Sequence, residues 1–331
     1  MSDIEVIGLG ALNMDYIYRV DAVLGDRETT VDAEHRYKEA ELKPLGIFPG
    51  GSAANTIYGL ARLGVNTGFI GIVGDDINGK ILLKDFEKVG VDIRQIKVKP
   101  KAKTGLATCV SDKLNFRSIR VTPGANSLLI MDDIDLGYIN QAEIFHISSF
   151  VDDTQFEVLL KLVKKLGSSV KISFSPGALY ATKGLQALTP ILARTHILFI
   201  NESEMRQLTG DFDSGAKRCI DLGCHIVVVT LGQGSIYKTV MAVSYIRTAK
   251  REYVIKPADR SMISAEDSIG AGDAFAAGFL YGLLKGKQLE ECGRLGDIVA
   301  RFSLLKTGAR EGLPTLNQLA QRYQELYKQE L

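Results

Sequence analysis

Short apolar blocks outline this chain, and in its second half they alternate with stretches of helical spacing. Residues 4–12 form an apolar run ending in glycines, which suits a buried strand. Residues 16–48 alternate loosely between apolar and charged and read as exposed strands and loops. Helical spacing begins at Ser52, a residue able to cap, and runs to Leu63 before Gly64. A strand at 69–73 and a helix over 79–89, stopped by Gly90, come next. Strands return across 93–121, with Ser111-Asp112-Lys113 as a hairpin turn.

From about Glu143 the order is regular. Strand 144–148 leads to helix 154–166, strand 170–174 to helix 183–193, and strand 196–200 to helix 202–208. Helix 215–222 then leads to strand 225–230. Such alternation implies a parallel sheet with helices on both faces. The strand-only pieces near 16–48 and 93–104 then project as insertions, forming a small β lid on one α/β domain that spans 1–331.

Composition narrows the class. Hydrophobic residues make up 46% and charged residues 24%, as in an ordinary soluble protein. A net charge of +1 supplies no field for nucleic acid or an anionic membrane, so neither is an expected partner. Cys109, Cys219, Cys224 and Cys292 lack C-x-x-C spacing, and with four scattered histidines they give no zinc pattern. Reduced, buried thiols are expected. The start, MSDIEVIGLGAL, carries no basic region, and no apolar run reaches the ~18 residues of a membrane span, so a cytoplasmic protein is expected.

The chemistry concentrates in DSIGAGDAFAAGF, residues 267–279. Gly270, Ala271 and Gly272 give a backbone able to lie close to a ligand, and the apolar run after them has helical length. Free N–H groups at the helix start and the positive end of its dipole make an anion site. Asp273 sits in that first turn, either as an ordinary cap or as the base that takes a proton from a hydroxyl as phosphate arrives. A second stretch, PGGSAANTIYGLARLG at 49–64, pairs Gly50 and Gly51 with Asn55 at a helix start. Asn13 and Asp15 follow the first strand, where ligands collect; they are sugar-hydroxyl partners or an Asx turn. No G-x-x-x-x-G-K-[ST] occurs, which excludes a P-loop frame. Gly8-x-Gly10 begins a dinucleotide fingerprint, but Asn13 replaces its third glycine and no helix follows, so a nicotinamide oxidoreductase is disfavoured.

The two stretches, in this order, resemble the N-terminal and C-terminal signatures of the ribokinase-like, or phosphofructokinase-B, carbohydrate kinases. That resemblance implies a three-layer fold, a mostly parallel central sheet flanked by helices with a small β-sheet lid. It also implies an ATP-dependent kinase of a sugar hydroxymethyl group, with Asp273 as general base and Gly270, Ala271 and Gly272 as the anion hole. Asn13, Asp15 and Asn55 would bind sugar hydroxyls, while Gly50 and Gly51 would flex as the lid closes. Asn201 and Glu204 match the family's N-x-x-E motif, which helps hold hydrated Mg²⁺ and nucleotide phosphates; taken alone they form a helix cap with its capping box. Thr230, Gly232 and Gly234 match its phosphate loop, and taken alone are a glycine turn. Asp267, with backbone carbonyls near Gly308 and Gly312, would hold a monovalent cation such as K⁺.

Two departures bear on the substrate. Ile269 stands where Thr is common, and only its backbone is expected to matter. Ribokinases proper place a substrate-binding glutamate near Ser148, which weakens ribose as the substrate. GGSAANT also resembles adenosine-kinase-like members, making a nucleoside the alternative, with Tyr16, Tyr18 and Phe48 as candidate linings of a base pocket. A catalytically silent binding regulator is the third reading. Arg117 and Arg120 are either phosphate contacts or solvated strand faces, and a homodimer through the lid edge completes the expectations.

Overall fold

The apolar blocks become strands because their side chains are buried on both faces of one sheet. The computed structural model describes residues 4–20, 43–111, 117–258 and 267–331. It opens with β1 (Val6–Leu9), β2 (Asn13–Arg19), β3 (Lys43–Gly50), α1 (Ser52–Arg62), β4 (Thr67–Gly74), α2 (Ile77–Lys88) and β5 (Asp92–Lys99). Then come β6 (Gly105–Ser111), β7 (Arg117–Thr122), α3 (Leu136–Ile139), β8 (Ile144–Ser148), α4 (Asp153–Lys165) and β9 (Lys171–Ser175). Helices α5 (Gly177–Ala181) and α6 (Gly184–Leu192) precede β10 (Thr195–Asn201), α7 (Glu202–Thr209), α8 (Phe212–Asp221) and β11 (Ile226–Tyr237). The chain closes through β12 (Val240–Thr248), β13 (Glu252–Ile255), α9 (Ala271–Leu284), α10 (Leu289–Ser303) and α11 (Leu316–Tyr327).

The large sheet runs β13-β12-β11-β10-β9-β8-β1-β4-β5. Pairing is parallel from β5 through β11 and antiparallel at β11–β12 and β12–β13. Successive residues of β1 serve opposite layers: Ile7 and Leu9 join the core that holds Phe145, Phe174 and Tyr180. Val6 joins the other, with Leu60, Phe69, Phe199 and Phe279. Two cores on the two faces of one sheet make three layers, as expected. Among the described residues no helix is long and apolar enough to cross a membrane.

A second sheet runs β3-β2-β6-β7. Its composition corrects one boundary. The piece at 93–104 is not part of it: β5 (Asp92–Lys99) pairs with β4 and forms the edge of the large sheet. The small sheet instead takes β6 and β7, beyond that piece. The charged residues Asp92, Arg94, Lys97 and Lys99 belong to a partly covered edge strand of the large sheet rather than to an insertion. The turn expected at Ser111-Asp112-Lys113, and residues 21–42 of the first insertion, lie outside the described residues.

Gly8 and Gly10 serve packing. A Cβ at Gly10 would stand 2.5 Å from Ser148 Oγ and 2.8 Å from Ala53 Cβ, so the glycine lets α1 lie directly on β1. No helix follows β1, which passes into the small sheet. That leaves no dinucleotide crevice at these glycines.

Candidate active site

The site is built where α9 begins. Gly270 has φ of +74°, and a Cβ there would lie 2.5 Å from that of Ala309, so glycine alone fits. It is the N-cap of α9 and offers no side chain to the helix start. The Ala271 N–H turns back to the Ser268 carbonyl at 3.3 Å. At Gly272 nothing lies within 4 Å of the place a Cβ would take, so the first turn faces open space. Backbone N–H groups facing such a space can serve an anion.

Asp273, in the first turn of α9, is not a cap. Its carboxylate accepts from Ser52 Oγ at 2.7 Å and from Asn55 Nδ2 at 2.9 Å, and its main-chain oxygen accepts from Thr56 Oγ1 at 3.3 Å. Ser52 therefore donates across the site instead of capping α1, whose N-cap is Gly51. The Ala53 N–H at that helix start donates to Ser148 Oγ at 3.1 Å, so Ser148 supports α1. Desolvation pushes the Asp273 pKa up to about 6, Asn55 and Ser52 oppose the rise, and Glu204 adds to it. Burial outweighs the helix dipole, which favours the ionised form, yet the carboxylate is still mostly charged at pH 7.

Asp15 on β2 is buried at 6% exposure with no hydrogen-bond donor of the protein on its carboxylate among the described residues. Burial pushes its pKa up to about 7, Arg310 lowers it, and Asp273 and Asp267 raise it. Asn13 Oδ1 accepts from Asn126 Nδ2 at 3.0 Å. Asn126 also bonds both main-chain groups of Leu12, pinning the turn between β1 and β2. Asn55 Oδ1 accepts from Arg310 Nε at 2.9 Å. Gly51 has φ of +102°, and a Cβ on it would overlap the Ala11 carbonyl, so these glycines are dictated by close approach.

On the other side, Asn201 and Glu204 form a capping box at α7: Glu204 N donates to Asn201 Oδ1 at 2.8 Å and Asn201 N to Glu204 Oε2 at 3.1 Å. Burial raises the Glu204 pKa while Asn201 holds it back. Parallel pairing sets Asn201 beside Thr230. Thr230, Gly232 and Gly234 do not end a strand as expected; β11 continues to Tyr237, and the register against β12 shifts between Thr230 and Ser235. Gly232 has φ of +60° with nothing near its Cβ position, an open bulge in a hairpin strand. Ser235 Oγ ties that bulge to Glu202 Oε2 at 2.8 Å.

Asp267 Oδ1 accepts from Ile269 N at 3.0 Å and its Oδ2 from Gly308 N at 3.1 Å, clamping the loop before α9 to the segment after α10. Gly312 lies against the Phe302 carbonyl and Ser303. Ile269 does more than lend its backbone: its side chain packs under the small sheet with Ile17, Ala107, Cys109, Phe48 and Val121. A Cβ at Gly308 would lie 2.9 Å from the Phe48 ring.

The structure thus brings Asp273, Ser52, Asn55, Asp15 and Arg310 together, with Glu204 within electrostatic reach. Others fall away. Tyr16 and Tyr18 alternate with Asp15 along β2 and so take its opposite face, whereas Phe48, paired with Asp15, shares its face. Arg120 pairs with Thr108 on the Tyr16 side and is exposed. The side chain of Arg117 lies outside the described residues. Sequence reasoning missed Arg310, Asp85 and Asn126. Arg310 lies in a loop between glycines, Asn126 in the turn after Thr122, and Asp85 in the helix expected over 79–89, and nothing local shows that they would hold Asn55, Asn13 and Arg310 respectively.

Residues 4–316 match the pfkB family carbohydrate kinases. A curated relative, the uncharacterized sugar kinase of Archaeoglobus fulgidus, is 39% identical over 77% of this chain and 98% of its own length. The nucleoside kinase of Methanocaldococcus jannaschii is 26% identical over 98% of both chains. Among solved structures, an Escherichia coli chain in complex with ATP and Mg²⁺ superposes with a TM-score of 0.79 at 22% identity, covering 97% of this chain and 99% of that one.

Proposed function

The chain belongs to the pfkB family of carbohydrate kinases, a family of ATP-dependent phosphotransferases, and from that premise we propose that it phosphorylates the hydroxymethyl group of a small sugar with Asp273 as base. One observation carries the reading: Asp273 is held by Ser52 and Asn55 in the first turn of a glycine-led helix that opens onto free space at Gly272. An acceptor hydroxyl between that carboxylate and the anion hole meets base and charge stabilisation together. Asp15, a buried carboxylate with no donor among the described residues, suits two neighbouring sugar hydroxyls, and Asn13, on the same face of β2, would join Asn55 in binding them.

Asp273 accepts the hydroxyl proton as the oxygen attacks the γ-phosphorus and the bond to the β-phosphate oxygen breaks. In this reading the N–H groups of Gly270 and Gly272 serve the charge on the phosphoryl oxygens, joined by that of Ala271 once it leaves the Ser268 carbonyl it meets at 3.3 Å. Thr230, Gly232 and Gly234 serve the nucleotide phosphates, with Asn201 and Glu204 beside them. Bound Mg²⁺ supplies charge neutralisation on the triphosphate. Glu204 would hold it through water, since Mg²⁺ keeps several of its waters when bound. Asp267, with carbonyls near Gly308 and Gly312, is our candidate for a monovalent cation, tested by exchanging K⁺ for tetramethylammonium in the assay.

The small sheet acts in this reading as a lid, excluding water from the phosphoryl group. Its edge, with Ile47 at 54% exposure, is the proposed homodimer contact, tested by light scattering at working concentration. A nucleoside substrate is the second reading, favoured by likeness to the M. jannaschii nucleoside kinase along nearly the whole chain. The deciding experiment is coupled ADP release against a panel of sugars, sugar phosphates and nucleosides. Turnover on a sugar supports the proposal, turnover confined to nucleosides supports the second reading, and ATP binding without turnover on any of them makes the chain a silent regulator.

A further inference from the structure

Arg310 is a guanidinium buried behind this site, and neither glycine motif contains it. Its side chain is 2% exposed. Nε donates to Asn55 Oδ1 at 2.9 Å, one terminal nitrogen to Asp85 Oδ2 at 2.8 Å, and the other to the Gly50 carbonyl at 3.0 Å. The guanidinium lies over the rings of Tyr58 and Phe86, 5.2 and 5.1 Å from their centres. It joins two separate pieces of the chain: the di-glycine running into the start of α1, and α2.

We propose that Arg310 is a positioning residue, which holds the Asn55 amide in the one orientation that donates to Asp273 and sets a buried positive charge behind Asp273 and Asp15. This rests on the assignment of Asp273 and Asp15 made above. Guanidinium has donors and no acceptor, so Asn55 must turn its oxygen to Arg310. Its Nδ2 is then committed to Asp273 Oδ2 at 2.9 Å. A flipped amide would set NH₂ against guanidinium and oxygen against carboxylate, two repulsions at once. Apolar packing alone does not call for a cation here, since buried ion pairs can be replaced by well-packed hydrophobic side chains without loss of stability.

The field of Arg310 reaches both carboxylates. It opposes the effect of burial at Asp15, and it lowers the Asp273 pKa as well. The charged and titratable groups facing this centre are Asp15 from β2, Tyr58 from α2's neighbour α1, Asp85 from α2, Glu204 from α7, Asp267 before α9 and Asp273 in α9. Asp85 neutralises part of the Arg310 charge without belonging to the catalytic pair. Removing Asp85 and removing Arg310 should therefore act in opposite directions. The Arg310→Met shift is the half of that pair which a merely packing residue would not give.

The test is a carboxyl titration by NMR on protein labelled with ¹³C at the aspartate side chains. Asp15 and Asp273 are assigned through Asp15→Asn and Asp273→Asn, and no substrate is needed. Arg310→Met is expected to raise both values by about one pH unit, the scale of a lost neighbouring charge. Asp85→Asn should lower them, and Arg310→Lys should restore most of the Arg310→Met shift. Unmoved carboxyls in folded Arg310→Met overturn the proposal, and so does a shift of Asp85→Asn in the same direction as Arg310→Met. If Arg310→Met does not fold, Asp85→Asn and Arg310→Lys decide alone, and unmoved or raised values in Asp85→Asn overturn it. ATP turnover of Asp273→Asn, with ribose and inosine as probes, reports separately on the underlying assignment. Normal turnover there sinks that assignment while the titration still reads the electrostatics.

Discussion

Gly50 lies so close to Asp15 that a methyl group on the glycine would occupy the space of both carboxylate oxygens. The pair is locked by β2–β3 pairing, with Asn13 opposite Gly50 and Asp15 opposite Phe48. Gly50→Ala should thus push Asp15 away from its buried seat. A displacement of about 1 Å at a reacting site can cost about 10²-fold, and we expect a loss of that order in kcat/KM. Overpacking of about 1–3 kcal/mol should lower the melting temperature as well. Steady-state kinetics beside a thermal melt checks both, and an unaffected kcat/KM would free Asp15 from its assigned role.

Asp15 also gives a pH signature. Its native pKa of about 7 stands above the ordinary 3.8, so the folded state holds the proton more tightly than the unfolded chain. Its stability contribution is fully present below the unfolded value and is lost as pH rises through 7. The whole effect is on the order of 4 kcal/mol. Asp15→Asn should then melt several degrees above wild type at pH 8, converge with it near pH 4, and lose turnover. Equal melting temperatures at pH 8 would contradict this.

Glu204 joins a cap to a charge. Replacing it by Gln keeps a capping-box side chain at this position of α7 and removes an anion that raises the Asp273 pKa. Glu204→Gln should raise the Mg²⁺ concentration needed for half-maximal turnover and lower kcat, with sugar KM little changed. The acid limb of kcat should move to lower pH. A Mg²⁺ titration identical to wild type would leave Glu204 as a cap and no more.

How much of this was legible beforehand depended on the distance over which each signal acts. Alternating strands and helices after Glu143 are local, and β8 through β10 with their helices appeared where expected. The glycine-led start of α9 was equally local, since Gly270 needs its left-handed φ wherever the chain goes. By contrast, the partners of Asp273 sit 221 and 218 residues away. Nothing near Ser52 distinguishes a donor to a distant carboxylate from a cap. The edge position of β5 depends on its pairing with β4, which charge alternation alone cannot reveal. Ile269 was read as backbone only because its packing partners under the small sheet come from β2, β3, β6 and β7. Arg310, in a short loop between Gly308 and Gly312, gave no sign that α1 and α2 would enclose it.

Asp273→Asn tests the centre of the proposal. With its pKa near 6, the wild-type carboxylate is mostly ionised at pH 7 and can accept a proton. Asparagine keeps the shape but cannot serve as a base, and turnover should fall roughly 10²–10⁴-fold, the usual worth of general base catalysis. The acid limb of kcat near pH 6 should vanish from whatever activity remains. Nucleotide affinity should change little, because the proposal gives the phosphates to backbone N–H groups and not to this carboxylate. The melting curve need not fall. The buried charge is costly, so its loss favours the folded state at pH 8, while the Asn55 Nδ2 donor needs an acceptor, which the new amide oxygen supplies. Near-normal turnover with an unchanged melting curve would leave Asp273 as a structural anchor for Ser52 and Asn55. A collapse of turnover at wild-type stability and wild-type ATP affinity places the proton transfer on this carboxylate.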